Sequence, residues 1–476
     1  MTTTDERPLA PIDSAAAPTE PEPAAAVEPA IAVEEEAAAP SPSPQPIRVP
    51  TRTLPVLALL LAVGSIVALF CRLTVQNRTM DELLRNMQRP QKSVAYWLEH
   101  GYFSSGGITV RTSPTQSLYF YTSSPGGFLI STYILEKVYF TATGRYSWRL
   151  QALHNQILTL LTAALLGLLG VRIATRFGSP PLHALFLGGA IVILHYTFPT
   201  TLAEFWEVTG REFFLLFAAV FLLIEIRIEE RRTRFLVIAQ AVTAFFLTYM
   251  EYVAGLAFFA SYVAIAMILQ GDRATLKRAV TTCVLPALLA VGVFAAQRSW
   301  VNLQHPDIPK EGSTFLFRSG LDGSAMYYGS HLDIAYGRKH ARANFPPNQD
   351  YLFRWEWMFF AGTAAMLISL IAAMRGRVPR TAIVALLSLL GSYLLYAAVF
   401  SQAVVIHPYL YDIMIYTPLV FALCVVFPSL LESMTEHRGV AVIAVFFLAI
   451  WVSMVQMRDY ALWYPPPPPV EEAPAQ

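Results

Sequence analysis

Eleven stretches of this chain run apolar for close to the ~20 residues that a helix needs to cross a bilayer's hydrocarbon core. They fall at about 53–73, 150–172, 182–199, 212–228, 235–250, 253–270, 279–297, 355–374, 381–400, 414–432 and 439–457. In lipid no water is present to satisfy backbone amides, so such runs are restricted to helices or closed barrels. Their length favours helices, because a barrel strand needs only about 10 residues. Composition agrees: 55% of the residues are hydrophobic and 14% charged, whereas a soluble domain carries about 25% charged residues. The mean hydropathy is +0.46. The expected fold class is therefore an all-α polytopic membrane protein with about eleven transmembrane helices. Runs 235–250 and 253–270 flank "TYMEY", Thr248–Tyr252, and predict a tight hairpin.

Residues 1–50 are rich in Ala, Pro and Glu and lack aromatics, so they bury too little apolar area to offset their ordering entropy. They are predicted to be a disordered tail, followed by the membrane domain at 51–460 and a Pro-rich tail at 461–476. No cleavable signal precedes the first run, which is then a retained anchor. Arg172 and Arg176, Arg227–Arg234, Asp272–Arg278 and Arg375–Arg380 fall on one side of the alternating runs, joined by Arg48, Arg52 and Arg438. The excess of Lys and Arg in short cytoplasmic loops assigns that side to the cytoplasm. A multi-pass protein of the cell membrane is expected, with a cytoplasmic N-terminus and an extracytoplasmic C-terminus. The net charge of +1, with no basic arm, gives no reason to expect nucleic acid as a partner. Cys71, Cys283 and Cys424 lie in apolar runs at different depths and lack metal-ligand spacing, so they read as small packing residues.

Two long outer loops remain, at about 74–149 and 298–354. The first contains "YTSSPGGFLISTYILEK", Tyr121–Lys137. Its apolar part, Phe128–Phe140, is too short to span and includes Glu136 and Lys137, so it predicts a helix lying in the outer interface. The turn at Pro125, Gly126 and Gly127 permits close backbone approach, since glycine has no side chain in the way.

The chain lacks a P-loop, a GxSxG elbow, HExxH, CxxC and an Asp-x-Asp signature. Chemistry must come from acidic, basic and aromatic groups at the outer face. Asp81 and Glu82 follow the first run; such carboxylates act as a general base or hold a divalent cation, Mg or Mn, and equally begin an interfacial helix. Glu204, Glu207, Arg211 and Glu212 precede or open the 212–228 run, where the helix dipole alone favours an acid. Glu251 sits at the hairpin tip, where an ionisable group close to hydrocarbon faces a cavity or a partner. Arg338, Lys339, His340 and Arg342 make a basic cluster suited to a phosphate or diphosphate headgroup, or to simple solvation. His407, Tyr409, Tyr411 and Asp412 lie among apolar residues where two late runs join, a place natural to an interfacial belt and also within reach of a leaving phosphate.

The order of "YWLEHGYFSSGG" (Tyr96–Gly107), "SPGGFLISTYILEKVYFTATG" (Ser124–Gly144) and "RYSWRLQAL" (Arg145–Leu153) resembles the GT-C superfamily of integral-membrane glycosyltransferases, which includes the protein O-mannosyltransferases and the aminoarabinose transferase of lipid A. The resemblance covers residues 74–230; beyond it His407-Pro408-Tyr409 is similar to a late region of the family. One departure stands out: counting back from "EHGYF", the family's catalytic Asp aligns near Asn86, five residues after Asp81.

The resemblance implies a hexosyl or pentosyl transferase that takes a sugar from a polyprenyl-phosphate donor and places it on a lipid, glycan or protein acceptor outside the cytoplasm. It implies Asp81 as base or metal ligand with Glu82, support from Glu212, and a headgroup site formed from Arg338, Lys339, Arg342, His407, Tyr409, Tyr121 and Glu251. Two other readings stay open: a transporter or flippase for a lipid-linked or anionic substrate, and a GT-C-like assembly factor without catalysis. The first predicts ionisable or broken helices near the midplane and internal repeats, and no repeat is visible.

Overall fold

Ser147 accepts a hydrogen bond from the Leu150 amide (3.3 Å) and so opens a helix that runs unbroken from Trp148 to Arg176. At 29 residues it is roughly 43 Å long, and the helices Thr53–Val75, Pro181–Thr197 and Gly210–Glu230 pack along it. The computed structural model describes residues 53–75, 92–112, 118–197, 210–308, 310–311, 356–399, 408–435 and 439–463. The tail at 1–50 and nearly all of the 461–476 tail lie outside the described residues.

The first elements are α1 (Thr53–Val75), α2 (92–100), strands β1 (Ile108–Thr112) and β2 (Leu118–Pro125), α3 (Ile130–Thr143) and α4 (Trp148–Arg176). Next come α5 (Pro181–Thr197), α6 (Gly210–Glu230), α7 (Arg234–Met250), α8 (Tyr252–Gln270), α9 (Arg273–Gln304) and strand β3 (Lys310–Glu311). The last group is α10 (Glu356–Met374), α11 (Arg380–Val399), α12 (Pro408–Phe421, continued to Met434) and α13 (Val440–Trp463). Each of the eleven apolar runs falls on a helix. Five of these helices are long and apolar enough to cross a membrane, and five more carry apolar stretches of 10–17 residues. Together they make a multi-pass membrane protein.

The bundle is held by close helix contact. Gly167 of α4 and Gly188 of α5 face each other so tightly that a Cβ on either would stand 2.7–2.9 Å from the other's carbonyl oxygen. Small residues of this kind let helix backbones approach where lipid supplies no hydrophobic drive. Two helices contain a π turn, at Val280–Val284 in α9 and Ala422–Val426 in α12. Pro286 and Pro428 follow each by two residues. Proline lacks the amide and clashes with the carbonyl four residues back, and a π turn relieves both. The three cysteines form no disulfide and are buried.

One end of the bundle is marked by ion pairs. Thr53 Oγ1 accepts from Arg172 and from Arg227 Nη2 (2.8 Å). Glu230 pairs with Arg176 (3.1 Å) and Arg227 (2.8 Å). Glu225 pairs with Arg278 at 2.7 Å and accepts from Gln240 Nε2 at 2.7 Å. Glu432 accepts from Ser179 (2.7 Å) and also pairs with His183. Of the basic residues placed together by the alternation of runs, Arg172, Arg176, Arg227 and Arg278 take part in these contacts, while Arg48, Arg52 and Arg438 lie outside the described residues. The stretch Asp272–Arg278, expected as a loop, instead forms the start of α9, because the Asp272 side chain caps the Thr275 amide at 2.7 Å.

The opposite end carries a folded cap. β1 pairs antiparallel with β2, and β2 pairs in parallel with β3 through Phe120↔Lys310 and Tyr121↔Glu311. This small sheet departs from the all-α expectation. Ile108, Val110 and Phe120 are buried against Phe294 and Val301 of α9. A single 3₁₀ turn, Gly126–Leu129, then leads into α3, which ends at Gly144 in the left-handed region (φ 69°). The interfacial helix expected at Phe128–Phe140 thus lies at Ile130–Thr143, after the turn.

Candidate functional site

Trp97 of α2, fully buried, donates from Nε1 to the Ile108 carbonyl at 3.1 Å and ties α2 to β1. Ser93 of α2 repeats the tie, exchanging 2.9 Å bonds with the amide and carbonyl of Val110. Trp97, Leu129, Tyr133, Leu158, Phe213 and Met250 form one apolar cluster, which joins the cap to the outer ends of α4, α6 and α7. Gly127 lies against Tyr249 at the end of α7, and the Tyr249 hydroxyl meets that of Tyr102 (3.3 Å) and accepts from Gln297 Nε2 (2.7 Å). Burial first, and then Tyr249, push the Tyr102 phenol up from its ordinary value, so it stays protonated. The motif glycines and the tyrosine of "HGYFSSGG" therefore build contacts between the cap and the bundle.

Beneath this cap lie Glu212, in the first turn of α6, and His195, near the end of α5. His195 Nε2 stands 3.5 Å from Glu212 Oε2, and both side chains are almost wholly buried. Neither Glu212 oxygen nor His195 Nε2 has a hydrogen-bond partner among the described residues. The Glu212 backbone carbonyl accepts from Thr162 at the midpoint of α4 (3.4 Å), so the pair sits well below α4's outer end. An ionisable pair at this depth, with unpartnered atoms, is costly unless it serves a bound group. His195 was not singled out from the sequence; its signal is an imidazole in the otherwise apolar "GGAIVILHYT".

Glu251 is the residue between α7 and α8, with φ −142° and ψ 83°; its amide bonds the Leu247 carbonyl (3.3 Å) and its carbonyl accepts from the Gly255 amide (2.8 Å). The hairpin expected at "TYMEY" is this junction. Met250 beside it and Phe213 beside Glu212 share the apolar cluster, so the two acids flank one packed unit. Tyr121, expected in a loop, is a strand residue of β2 that pairs with Thr109 and Glu311. Its alternation in "LYFYTSSP" is the local reason. Tyr409 falls in the first turn of α12.

Asp81, Glu82, Arg338, Lys339, Arg342 and His407 lie outside the described residues, as do Glu204 and Glu207. In sequence, each of their segments adjoins a described element. The first follows Val75 of α1, the second lies between β3 and α10, and the third precedes Pro408 of α12. Among the described residues no group of three or more His, Cys, Asp or Glu side chains is placed to hold a metal ion. The cation expected at Asp81 and Glu82 gains no such cluster from them.

A second polar group, unforeseen in the sequence, sits between α3 and α4. Glu136 Oε2 accepts from the Ser147 amide (3.2 Å), and His154 Nε2 meets Ser131 Oγ (2.9 Å). His154 Nδ1 is 3.3 Å from Asn155 Oδ1. Burial pushes the Glu136 carboxyl up, opposed by its bonds from Ser147 and Gln151.

No family model and no curated protein matches the chain. Among solved structures, the fold is similar to the crystal structure of the Archaeoglobus fulgidus oligosaccharyltransferase, which was solved tethered by a disulfide to an acceptor peptide containing an NVT sequon. The two are 15% identical with a TM-score of 0.42, over 87% of this chain and 54% of that one. This chain spans about half the length of the structure it matches.

Proposed function

We propose that this protein is a membrane glycosyltransferase of the GT-C type that works at the capped end of the bundle. The observation that carries the reading is the buried Glu212–His195 pair, 3.5 Å apart with unpartnered atoms, beneath a cap built from the GT-C-like motifs. In this reading that end faces away from the cytoplasm, because the arginine-rich end obeys the positive-inside rule. The donor is a sugar on a polyprenyl phosphate whose tail lies among the spanning helices, and the acceptor is a hydroxyl or amide of a lipid, glycan or protein.

The reaction breaks the bond between the anomeric carbon and the phosphate oxygen. The acceptor atom supplies the electron pair for the new bond, the base takes its proton, and the lipid phosphate leaves with the electrons of the broken bond. Asp81 is the base, and with Glu82 it is the pair that would hold Mg or Mn. Glu212, paired with His195, supports the base. Arg338, Lys339, Arg342 and His407 meet the phosphate's growing charge, where fixed cations contribute most. Tyr121, Tyr409 and Glu251 line the headgroup side.

The test uses full-length protein in detergent with a radiolabelled polyprenyl-phosphate sugar and a mixed acceptor extract. Wild type is expected to transfer label, and Asp81→Asn to lose at least a hundredfold, the typical contribution of a positioned base. Transfer by Asp81→Asn at the wild-type rate removes Asp81 from the role. Movement of labelled lipid across sealed vesicles, without transfer to any acceptor, replaces this reading with a flippase.

A further inference from the structure

Two bonds fix the register of the α3–α4 hairpin: Glu136 Oε2 to the Ser147 amide, and Ser131 Oγ to His154 Nε2. In that register Thr132 and Glu136, one turn apart on α3, lie on the side of the hairpin toward Asn155 and Gln151, one turn apart on α4. All four side chains are at least nine-tenths buried, with exposures of 0–4%. Among the described residues each keeps a polar atom without a hydrogen-bond partner: Thr132 Oγ1, Glu136 Oε1, Gln151 Oε1 and Asn155 Nδ2. Buried polar groups left unpaired so close together along one hairpin call for a partner, water or an ion.

Three of the four atoms are oxygens, and one belongs to a carboxylate with no cationic partner among the described residues. The fourth is an amide nitrogen. A half-turn of the Asn155 amide keeps its bond to His154 and presents oxygen instead. The set is then one carboxylate oxygen, two amide carbonyls and a hydroxyl, all hard donors. Calcium accepts such mixed, flexible oxygen shells and completes them with water, whereas magnesium demands a tight octahedron.

We infer that the α3–α4 hairpin holds a calcium ion between Thr132, Glu136, Gln151 and Asn155. A single negative charge makes the site weak, in the range of about 10⁻⁴–10⁻³ M seen in extracellular modules. The hairpin turn at 141–146 is exposed, so an ion reaches Glu136 past little more than one turn of helix. This site lies away from Asp81 and Glu82 in the chain and does not depend on the proposed transfer.

Terbium, a luminescent substitute for calcium, tests this on full-length protein in detergent. Tyr133, next to Thr132, serves as the sensitising ring. Excitation of tyrosine is expected to give saturable terbium emission that calcium displaces and magnesium does not. Glu136→Gln, which keeps the shape, is expected to weaken binding at least tenfold, and Thr132→Val severalfold. Asp81→Asn is expected to leave this emission unchanged. Emission lost in Asp81→Asn but kept in Glu136→Gln overturns the inference. So does an absence of calcium-displaceable emission from wild type whose folding is confirmed by circular dichroism, because Glu136 is then satisfied as a protonated acid or by water.

Discussion

Gly127→Ala is the sharpest probe of how the cap is joined to the bundle. Gly127 lies outside the positive-φ glycines, so alanine meets no backbone strain there. The cost is contact. A Cβ at 127 would stand 2.8 Å from Tyr249 Cδ1 and Cε1 and 2.9 Å from the Tyr249 carbonyl oxygen. Ordinary contact begins at 3.4 Å, so the two elements must part by 3.4 − 2.8 = 0.6 Å. The ring is held by Tyr102, Gln297 and a stacked Phe245, and the carbonyl belongs to the end of α7, so neither gives alone. Overpacking of this kind costs about 1–3 kcal/mol, and a strained Tyr249–Gln297 bond adds about 1 kcal/mol. Loss of unfolded-state freedom offsets about 0.4–1 kcal/mol. A net cost of about 1–3.6 kcal/mol raises local opening roughly 5- to 450-fold. Hydrogen exchange of amides 126–130, read by mass spectrometry in detergent, measures that opening. Gly292→Ala, where a Cβ meets nothing within 4 Å, is the matched control and is expected to be neutral or slightly stabilising. Exchange in Gly127→Ala within twofold of both wild type and Gly292→Ala would refute the claim that the glycine allows this close approach.

Arg278→Ala leaves Glu225 buried without its 2.7 Å partner and is expected to cost about 3–5 kcal/mol, seen as a lower thermal midpoint; replacing both residues with Met and Gln restores most of it. His195→Ala removes the imidazole beside buried Glu212, and His195→Gln is expected to retain more transfer activity, since an amide still fills the space. In calcium-free buffer the folded Glu136 carboxyl binds its proton more tightly than the unfolded one, whose ordinary value is 4.5. Stability therefore falls as pH rises from 4.5 toward the raised value and levels off beyond it. Glu136→Gln flattens that slope, and thermal midpoints across the acid range check the sign.

The helices were legible because each needs only local information, a long apolar run; the caps Ser147, Thr233 and Asp272 that start three of them were not singled out, and Asp272 was expected in a loop. The "TYMEY" junction was legible for the same reason, being two apolar runs too close to leave a loop. The sheet was not. β1 is five residues, and β3 is two residues that pair across nearly the whole first half of the bundle, a distance over which no local pattern carries. At the site, Glu212 could be read as an acid opening a helix, whereas its neighbour His195 comes from another helix and only packing brings them together. The hairpin polar group was hidden likewise: Glu136 reads alone as a mark against spanning, and its facing partners appear only once α3 folds back on α4.

β3 also sets an order of assembly. Phe120 pairs with Lys310, so one side of β2 has no partner until 190 further residues, 310 − 120, have been made. During synthesis β2 is an open strand edge while α3 to α9 are being made. Exposed edges invite wrong pairing, and contacts so distant in sequence form late. Closure of the cap thus reports that α9 has been inserted in the correct orientation, which makes the sheet a built-in checkpoint on topogenesis.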